Sequence, residues 1–328
     1  MVFNVTIIVL NRYFERMKFN MEIALQLVLL CIGFVMLVKG ADWFVEGAAG
    51  IATKFKIPQL VIGLTIVAMG TSAPEAAVSI TAALKGNADI TIGNIVGSNI
   101  INVFIILGLA SVITPIAIAK STIKAELPFM IFVSFILLAL GYDGNIVLWE
   151  GIVLLALFAA YLTYLFVMAF KGKNNQDEST NEISVIKALI WTIVGLVLIV
   201  YGSDVTVNAA TKIATVLGLS ERFIGLTIVA LGTSLPELFT SVSAARKGNA
   251  DIAIGNIVGS NIFNILLVVG LSAVIVPVPF ATGFRFDTII AGVGGILLLL
   301  FCLKDKKLKR FAGALLLLSY VVYFCFIW

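Results

Sequence analysis

The stretch IGLTIVAMGTSAPEAAVSITAALKGNADITIGNIVGSNIINVF, residues 62–104, returns at residues 224–266 as IGLTIVALGTSLPELFTSVSAARKGNADIAIGNIVGSNIFNIL, an offset of 224 − 62 = 162 positions. Extended to 62–116 and 224–278, the copies agree at 36 of 55 positions, and Thr, Ser, Glu, Asn and Asp are among the best matched. Core packing alone does not produce that pattern. Apolar positions drift among Ile, Leu and Val while volume is kept, so polar residues kept in both copies of a very apolar chain point to a shared chemical task. A repeat of this length also frames the architecture.

Working outward, 61% of the 328 residues are hydrophobic, 12% are charged and the mean hydropathy is +1.12. Soluble domains are about half apolar and about a quarter charged. The chain is expected to be an all-α membrane protein, because apolar runs of about 20 residues, enough to cross a bilayer core of roughly 30 Å, recur throughout. The spans fall near 21–44, 59–84, 92–114, 125–141, 147–170, 185–208, 221–245, 253–276, 285–303 and 308–328. That reading gives ten helices. The long polar connection KGKNNQDESTNE, residues 171–182, divides them into a first half (21–170) and a second half (185–328), with 171–184 read as a flexible linker. Residues 1–20 hold a short apolar run followed by Arg12, Glu15, Arg16 and Lys18, the reverse of a signal peptide's charge order, and read as an interfacial segment.

Five helices per repeat is an odd number, so the second copy is expected to lie inverted in the membrane relative to the first. Alternate loops then share a side. One side collects fourteen of the 22 basic residues, among them Lys54, Lys120, Lys171, Lys247 and Arg310, and the other collects seven, with Lys39 ambiguous. The positive-inside rule places the fourteen, and the linker, in the cytoplasm and both termini outside a cell membrane. No basic stripe points to nucleic acid. Cys31, Cys302 and Cys325 lie in apolar runs without metal-ligand spacing and read as packing residues.

Each repeat carries G-T-S-x-P-E inside an apolar helix: Gly70, Thr71, Ser72, Pro74 and Glu75, then Gly232, Thr233, Ser234, Pro236 and Glu237. A carboxylate near the bilayer centre costs roughly 3 kcal/mol on insertion scales and normally faces a partner or a cavity. The chain has no histidine, and its basic residues lie almost entirely in loops or at helix ends. Bound cations are therefore the natural counter-charge, and two carboxylates match one divalent ion. Pro74 and Pro236 lack an N–H, so the carbonyls of Gly70 and Gly232 are expected to lose their helical partners. Such oxygens, with Thr71, Ser72, Thr233 and Ser234, could complete the 6 to 8 oxygen ligands calcium takes at about 2.3–2.6 Å. An all-oxygen set suits Ca²⁺ or Na⁺ and argues against zinc or copper. In G-N-I-V-G-S-N-I-x-N, Ser98 and Asn102 share one helical face, as do Ser260 and Asn264, and are expected to line the same site. Gly93 and Gly97, like Gly255 and Gly259, form small-xxx-small surfaces for close helix packing. Asp89 and Asp251, beside Lys85 and Lys247, read as interfacial caps, and Asp42 and Asp204 are equivocal.

These two blocks resemble the α-repeats of the sodium/calcium exchanger family within the calcium/cation antiporter superfamily. The resemblance covers both 55-residue repeats directly. It implies ten helices in two inverted halves, with helices two, three, seven and eight around midplane ion sites. The implied ligands are Glu75, Glu237, Thr71, Thr233, Ser72, Ser234, Ser98, Ser260, Asn102 and Asn264, with the backbone oxygens of Ala68 and Ala230. Several exchangers carry Asp at the position of Asn264, so this cage is one acid poorer. Proton/calcium exchangers resemble G-N-x-x-E where Val96 and Val258 stand here, which favours sodium over protons.

The resulting expectation is an antiporter rather than an enzyme. It needs no cofactor, its partners are Ca²⁺, Na⁺ and the lipid bilayer, and one copy of the chain suffices for transport. Ca²⁺ and Na⁺ compete at one site that opens to either side in turn. A K⁺- or H⁺-coupled calcium exchanger is the alternative. A channel would more often build its filter from subunit rings, and a serine hydrolase lacks histidine and a midplane Ser/Lys pair.

Overall fold

The computed structural model describes residues 2–85, 88–172, 184–218 and 230–327, and they are almost wholly helical. In chain order, α1 is Val2–Phe55, and α2 (Gln59–Thr71) and α3 (Ala73–Leu84) form a pair bent by 50° at the break between them. Then come α4 (Ile90–Ile113), α5 (Thr122–Asp143) and α6 (Leu148–Gly172). The second half holds α7 (Val185–Val216), the short α8 (Ala230–Thr233), α9 (Leu235–Arg246), α10 (Ala250–Ile275), α11 (Thr282–Leu303) and α12 (Arg310–Ile327). Among the described residues seven helices are long and apolar enough to cross a membrane, or eight if the bent pair counts as one span; α12 is a shorter apolar helix.

Most expected spans match within a few residues, and the differences lie at α1 and α7. α1 is one helix from Val2, with no break near residue 20, and α7 runs to Val216 instead of stopping near 208. The side chains of residues 1–20 fall outside the described residues, as do 173–183 of the expected linker and 219–229 of the expected seventh span. At 1.5 Å per residue the 32 residues of α7 extend about 48 Å. A helix longer than the hydrocarbon layer tilts across it. α1 and α7 cross through glycines: a Cβ on Gly40 would lie 2.9 Å from the Gly195 carbonyl oxygen, and one on Gly202 3.1 Å from that of Gly33. These two pairs run antiparallel and let the backbones touch, the small-residue packing that membrane helices favour.

α4 and α10 form the centre. Their most apolar windows are 78% and 83% buried, against 17–39% for the other spans. Their buried Asn and Ser side chains, costly against lipid, belong inside the bundle, whereas α1 turns Leu25, Val28, Ile32 and Val35 outward.

Four two-residue strands tie the ends together. β1 (Ile116–Ala117) pairs antiparallel with β4 (Lys307–Leu308), and β2 (Asn145–Ile146) with β3 (Val278–Pro279). Ile116 faces Leu308 while Val278 faces Ile146, so adding 162 to one member and subtracting it from the other converts the first pair into the second. The flanking bonds obey the same rule, since Ile118 N–H donates to the Lys306 carbonyl and Phe280 N–H to that of Gly144, both at 2.8 Å. Both acceptors sit at positive φ, 107° at Gly144 and 51° at Lys306.

Candidate functional site

Glu75 and Glu237 lie in the first turns of α3 and α9, just past the breaks. Proline explains the geometry: Pro74 and Pro236 occupy the first turn, where a missing N–H costs nothing, and end the preceding helix. The break residues Ser72 (φ −82°, ψ 6°) and Ser234 (φ −88°, ψ 4°) share one conformation. As expected of a broken helix, the Gly232 carbonyl finds a partner outside its own helix, accepting the Ser203 hydroxyl of α7 at 2.7 Å. A carboxylate in the first turn also faces the positive end of the helix dipole, worth about 0.3–1 kcal/mol.

Both glutamates are buried, each 1% exposed. The hydroxyl contacts from Ser72, Thr71 and Thr233 cross between the repeats, and those from Ser98 and Ser260 stay within one. Ser72 donates to Glu237 Oε1 at 2.8 Å, and Thr71 and Ser260 also reach the Glu237 carboxylate. Thr233 and Ser98 reach that of Glu75, and the two carboxylates feel each other's charge. Ser260 also donates to the Ala68 carbonyl at 3.4 Å, which accepts the Ser72 N–H as well. Thus eight expected ligands, Glu75, Glu237, Thr71, Thr233, Ser72, Ser98, Ser260 and the Ala68 oxygen, are brought together. Ser234 is buried at the second break, and Ala230 opens α8, its side chain outside the described residues.

Asn102 and Asn264 begin equivalent wide turns, Asn102–Leu107 and Asn264–Val269, with i→i+5 bonding. Such insertions are frequent at functional sites. Asn102 Nδ2 donates to Asn261 Oδ1 at 2.9 Å, and Asn264 Nδ2 to Asn99 Oδ1 at 3.1 Å. Asn99 and Asn261 in turn donate to each other's main-chain oxygens at 3.2 and 3.3 Å. This four-asparagine network fixes which end of Asn102 and Asn264 is free: the oxygen.

Sequence reasoning missed this outer layer. Asn94 donates to the Glu75 carbonyl (3.2 Å) and Ser79 (2.9 Å), and Asn256 to the Glu237 carbonyl (3.4 Å) and Ser241 (2.9 Å). Thr71 also donates to Asn256 Oδ1 at 2.9 Å. The signal was present, since Asn94 stands one turn before Ser98, on the face already singled out, and recurs as Asn256. Glycines allow the close approach, as expected of Gly255 and Gly259. A Cβ on Gly259 would lie 2.7 Å from that of Ala68, and one on Gly255 3.0 Å from the Cα of Gly63.

Five buried oxygens here lack a protein partner: Glu75 Oε2, Glu237 Oε2, Asn102 Oδ1, Asn264 Oδ1 and Ser234 Oγ. Each such atom costs about 1–3 kcal/mol, more when charged. All five belong to the expected ligand set, and an all-oxygen set of this kind fits hard cations as substrate. The described residues contain no cluster of three or more His, Cys, Asp or Glu, so the donor set is two carboxylates amid neutral oxygens. Asp251 lies in the first turn of α10, and Lys247 bonds Glu46 Oε2 at 3.2 Å and the Asp42 carbonyl at 2.8 Å, while Ser243 donates to Asp42 Oδ1 at 2.6 Å.

The family model described as sodium/calcium exchanger protein matches residues 25–167 and 187–328. The sodium/calcium exchanger MaX1 of Methanosarcina acetivorans is 33% identical over 345 aligned positions, covering 92% of this chain and 98% of that one. The inner membrane protein YrbG of Escherichia coli is 38% identical, covering 76% and 79%. A solved structure of the sodium-calcium exchanger NCX_Mj superimposes with a TM-score of 0.81 at 34% identity, covering 92% of this chain and 99% of that one. With matches to both halves, and a membrane fold shared over almost the full length, the chain belongs to the sodium/calcium exchanger family.

Proposed function

We propose that this antiporter exchanges Na⁺ for Ca²⁺ by alternating access at the site around Glu75 and Glu237. One observation carries the reading: five oxygens of the expected ligand set are buried without a protein partner, two of them carboxylate. Two carboxylates neutralise one Ca²⁺, and Na⁺ ions at the same oxygens compete with it. Competition for shared ligands is the coupling. The hydroxyls of Thr71, Ser72, Thr233, Ser234, Ser98 and Ser260, the oxygens of Asn102 and Asn264, and the carbonyls of Ala68 and Ala230 complete the set. Names of relatives such as MaX1 and NCX_Mj agree with this pair of ions.

Ten helices in two inverted five-helix halves form the frame of this proposal, supported by the exchanged strand pairs and the antiparallel glycine crossing of α1 and α7. Alternating access has its own support in an asymmetry. α1 packs along α9 and is latched there by Lys247, Ser243, Asp42 and Glu46, whereas α7 makes no comparable contact with α3. The equivalent ion pair, Lys85 with Asp204, is not formed. Exchanging which side is latched turns one facing state into the other.

Calcium uptake into proteoliposomes with imposed sodium, potassium or proton gradients tests the proposal. Uptake should follow an outward-directed sodium gradient and saturate. Uptake driven by potassium or protons, and indifferent to sodium, would replace Na⁺ as the counter-ion; a flux that does not saturate would mark a channel.

A further inference from the structure

We propose that a cavity between α5 and α6, remote in sequence from the ion-site motifs, binds an organic ammonium group supplied by an aminophospholipid headgroup or a free amine. The cavity measures about 270 Å³, and Glu126, Phe129, Leu157, Tyr161 and Tyr164 line it. Glu126 is fully buried; the Tyr164 hydroxyl donates to Oε1, while Oε2 has no partner. The Tyr161 hydroxyl, on a side chain only 5% exposed, has none either. Among the described residues no basic side chain forms an ion pair with Glu126.

The walls identify the cation. Phe129 stacks on Tyr161 with ring centroids 5.4 Å apart and an interplanar angle of 16°, and Tyr161 on Tyr164 at 6.5 Å and 24°. Aromatic faces carry negative charge and attract ammonium groups, quaternary ones included. They cannot replace the oxygen shell that Ca²⁺ requires, and one carboxylate with two phenols is too few ligands for it. A carboxylate oxygen and a free phenol, set among rings, match an ammonium that donates hydrogen bonds at one end and lies against an apolar wall.

The repeat separates this cavity from the duplicated transport machinery. At the positions 162 later, Glu126 becomes Thr288, Phe129 becomes Ala291 and Tyr164 becomes Phe326, and only Tyr161 is matched, by Tyr323. Tyr323 already donates to Asp287 at 2.9 Å. The second half thus keeps an acid–phenol pair beside Phe286, but half-buried and with that phenol bonded, so a fully buried carboxylate with a free phenol beside it is particular to the first half. Their depth is also suitable: Glu126 closes the first wide turn of α5, with exposed Lys120 and Lys124 just before it, the level at which headgroups lie.

The test uses the full chain in nanodiscs of equal phosphatidylethanolamine, phosphatidylcholine and phosphatidylglycerol, with retained lipid counted by native mass spectrometry. Phosphatidylethanolamine should be retained about tenfold over phosphatidylglycerol, and also over phosphatidylcholine, whose quaternary ammonium has no N–H to donate, and Glu126→Gln, which keeps an acceptor for Tyr164, should erase the preference. If Glu126→Gln does not fold, Phe129→Leu, which keeps an apolar side chain and removes a ring, should lower it instead. In the second arm, ethanolammonium is titrated into lipid-free detergent and thermal stabilisation is followed. Stabilisation lost in the same variants identifies a free amine as a ligand; retention of lipid without it identifies the bilayer as the source. Equal retention of phosphatidylglycerol, or an unchanged preference in the variants, overturns the proposal. Glu75→Gln should keep the lipid preference, and its loss there would assign the ammonium to the central site instead.

Discussion

At the scale of single residues, the glutamates carry charge and the asparagines carry direction. Glu75→Gln or Glu237→Gln removes half of the cage's charge, and calcium exchange should fall by at least about 100-fold, while insertion and folding persist because a buried charge is relieved. Full exchange by either variant, measured in proteoliposomes, would sink the two-glutamate site. Asn261→Leu should weaken calcium binding about 10- to 100-fold without touching the ion, since partners that orient ligands have effects of that size; isothermal titration of the purified variant decides it. Asn264→Asp adds a third carboxylate and should shift the relative use of sodium, potassium and calcium, and unchanged selectivity would place Asn264 outside the lining. The innermost layer was legible because Glu, Ser and Thr are conspicuous in apolar helices. The outer asparagines were not, because Asn99 and Asn261 act through bonds that cross between repeats, and helical spacing describes only neighbours within one helix.

Among elements, apolar run length located the spans, because bilayer thickness sets it. It could not locate the ends of α1 and α7, whose continuation past the hydrocarbon depends on packing against each other. The breaks were legible from Pro74 and Pro236, but the capture of the Gly232 carbonyl by Ser203 was not, since Ser203 stands 29 residues away on another helix. Its counterpart by the offset is Ala41. Ser203→Ala should therefore cost only about 1 kcal/mol of thermal stability, the net worth of one hydrogen bond, and a loss several times larger would show that the bond sets the break itself. Gly259→Val places branched carbons where 2.7 Å separates a Cβ from Ala68. Overpacking of that kind typically costs 1–3 kcal/mol, and calcium affinity should fall with it as α2 is pushed from α10; a melting temperature and affinity equal to the parent's would refute the contact.

For the whole molecule, orientation and switching are the open quantities. A cysteine at Asn175, in a background lacking Cys31, Cys302 and Cys325, should resist an impermeant thiol reagent in intact cells, and one added after Trp328 should react. Labelling of both from one side would break the odd helix count per half. The latch involves partly exposed groups, 30% at Lys247 and 48% at Glu46, and such pairs contribute about 0.2–1 kcal/mol. That is enough to bias two states severalfold without locking either. Spin labels at Trp43 and Arg246 should move apart in Lys247→Ala and stay put in Lys85→Ala; identical distance distributions in all three proteins would leave the latch without a role. The strand pairs have a consequence of another kind. Each joins a segment of one half to a segment of the other, and none closes within a half. A half made alone has two unsatisfied edges whose natural complement is a second copy of itself, turned over. On the inverted arrangement proposed above, the chain is what gene duplication and fusion would make of an ancestral antiparallel homodimer, and two separately translated halves should still find each other and reassemble.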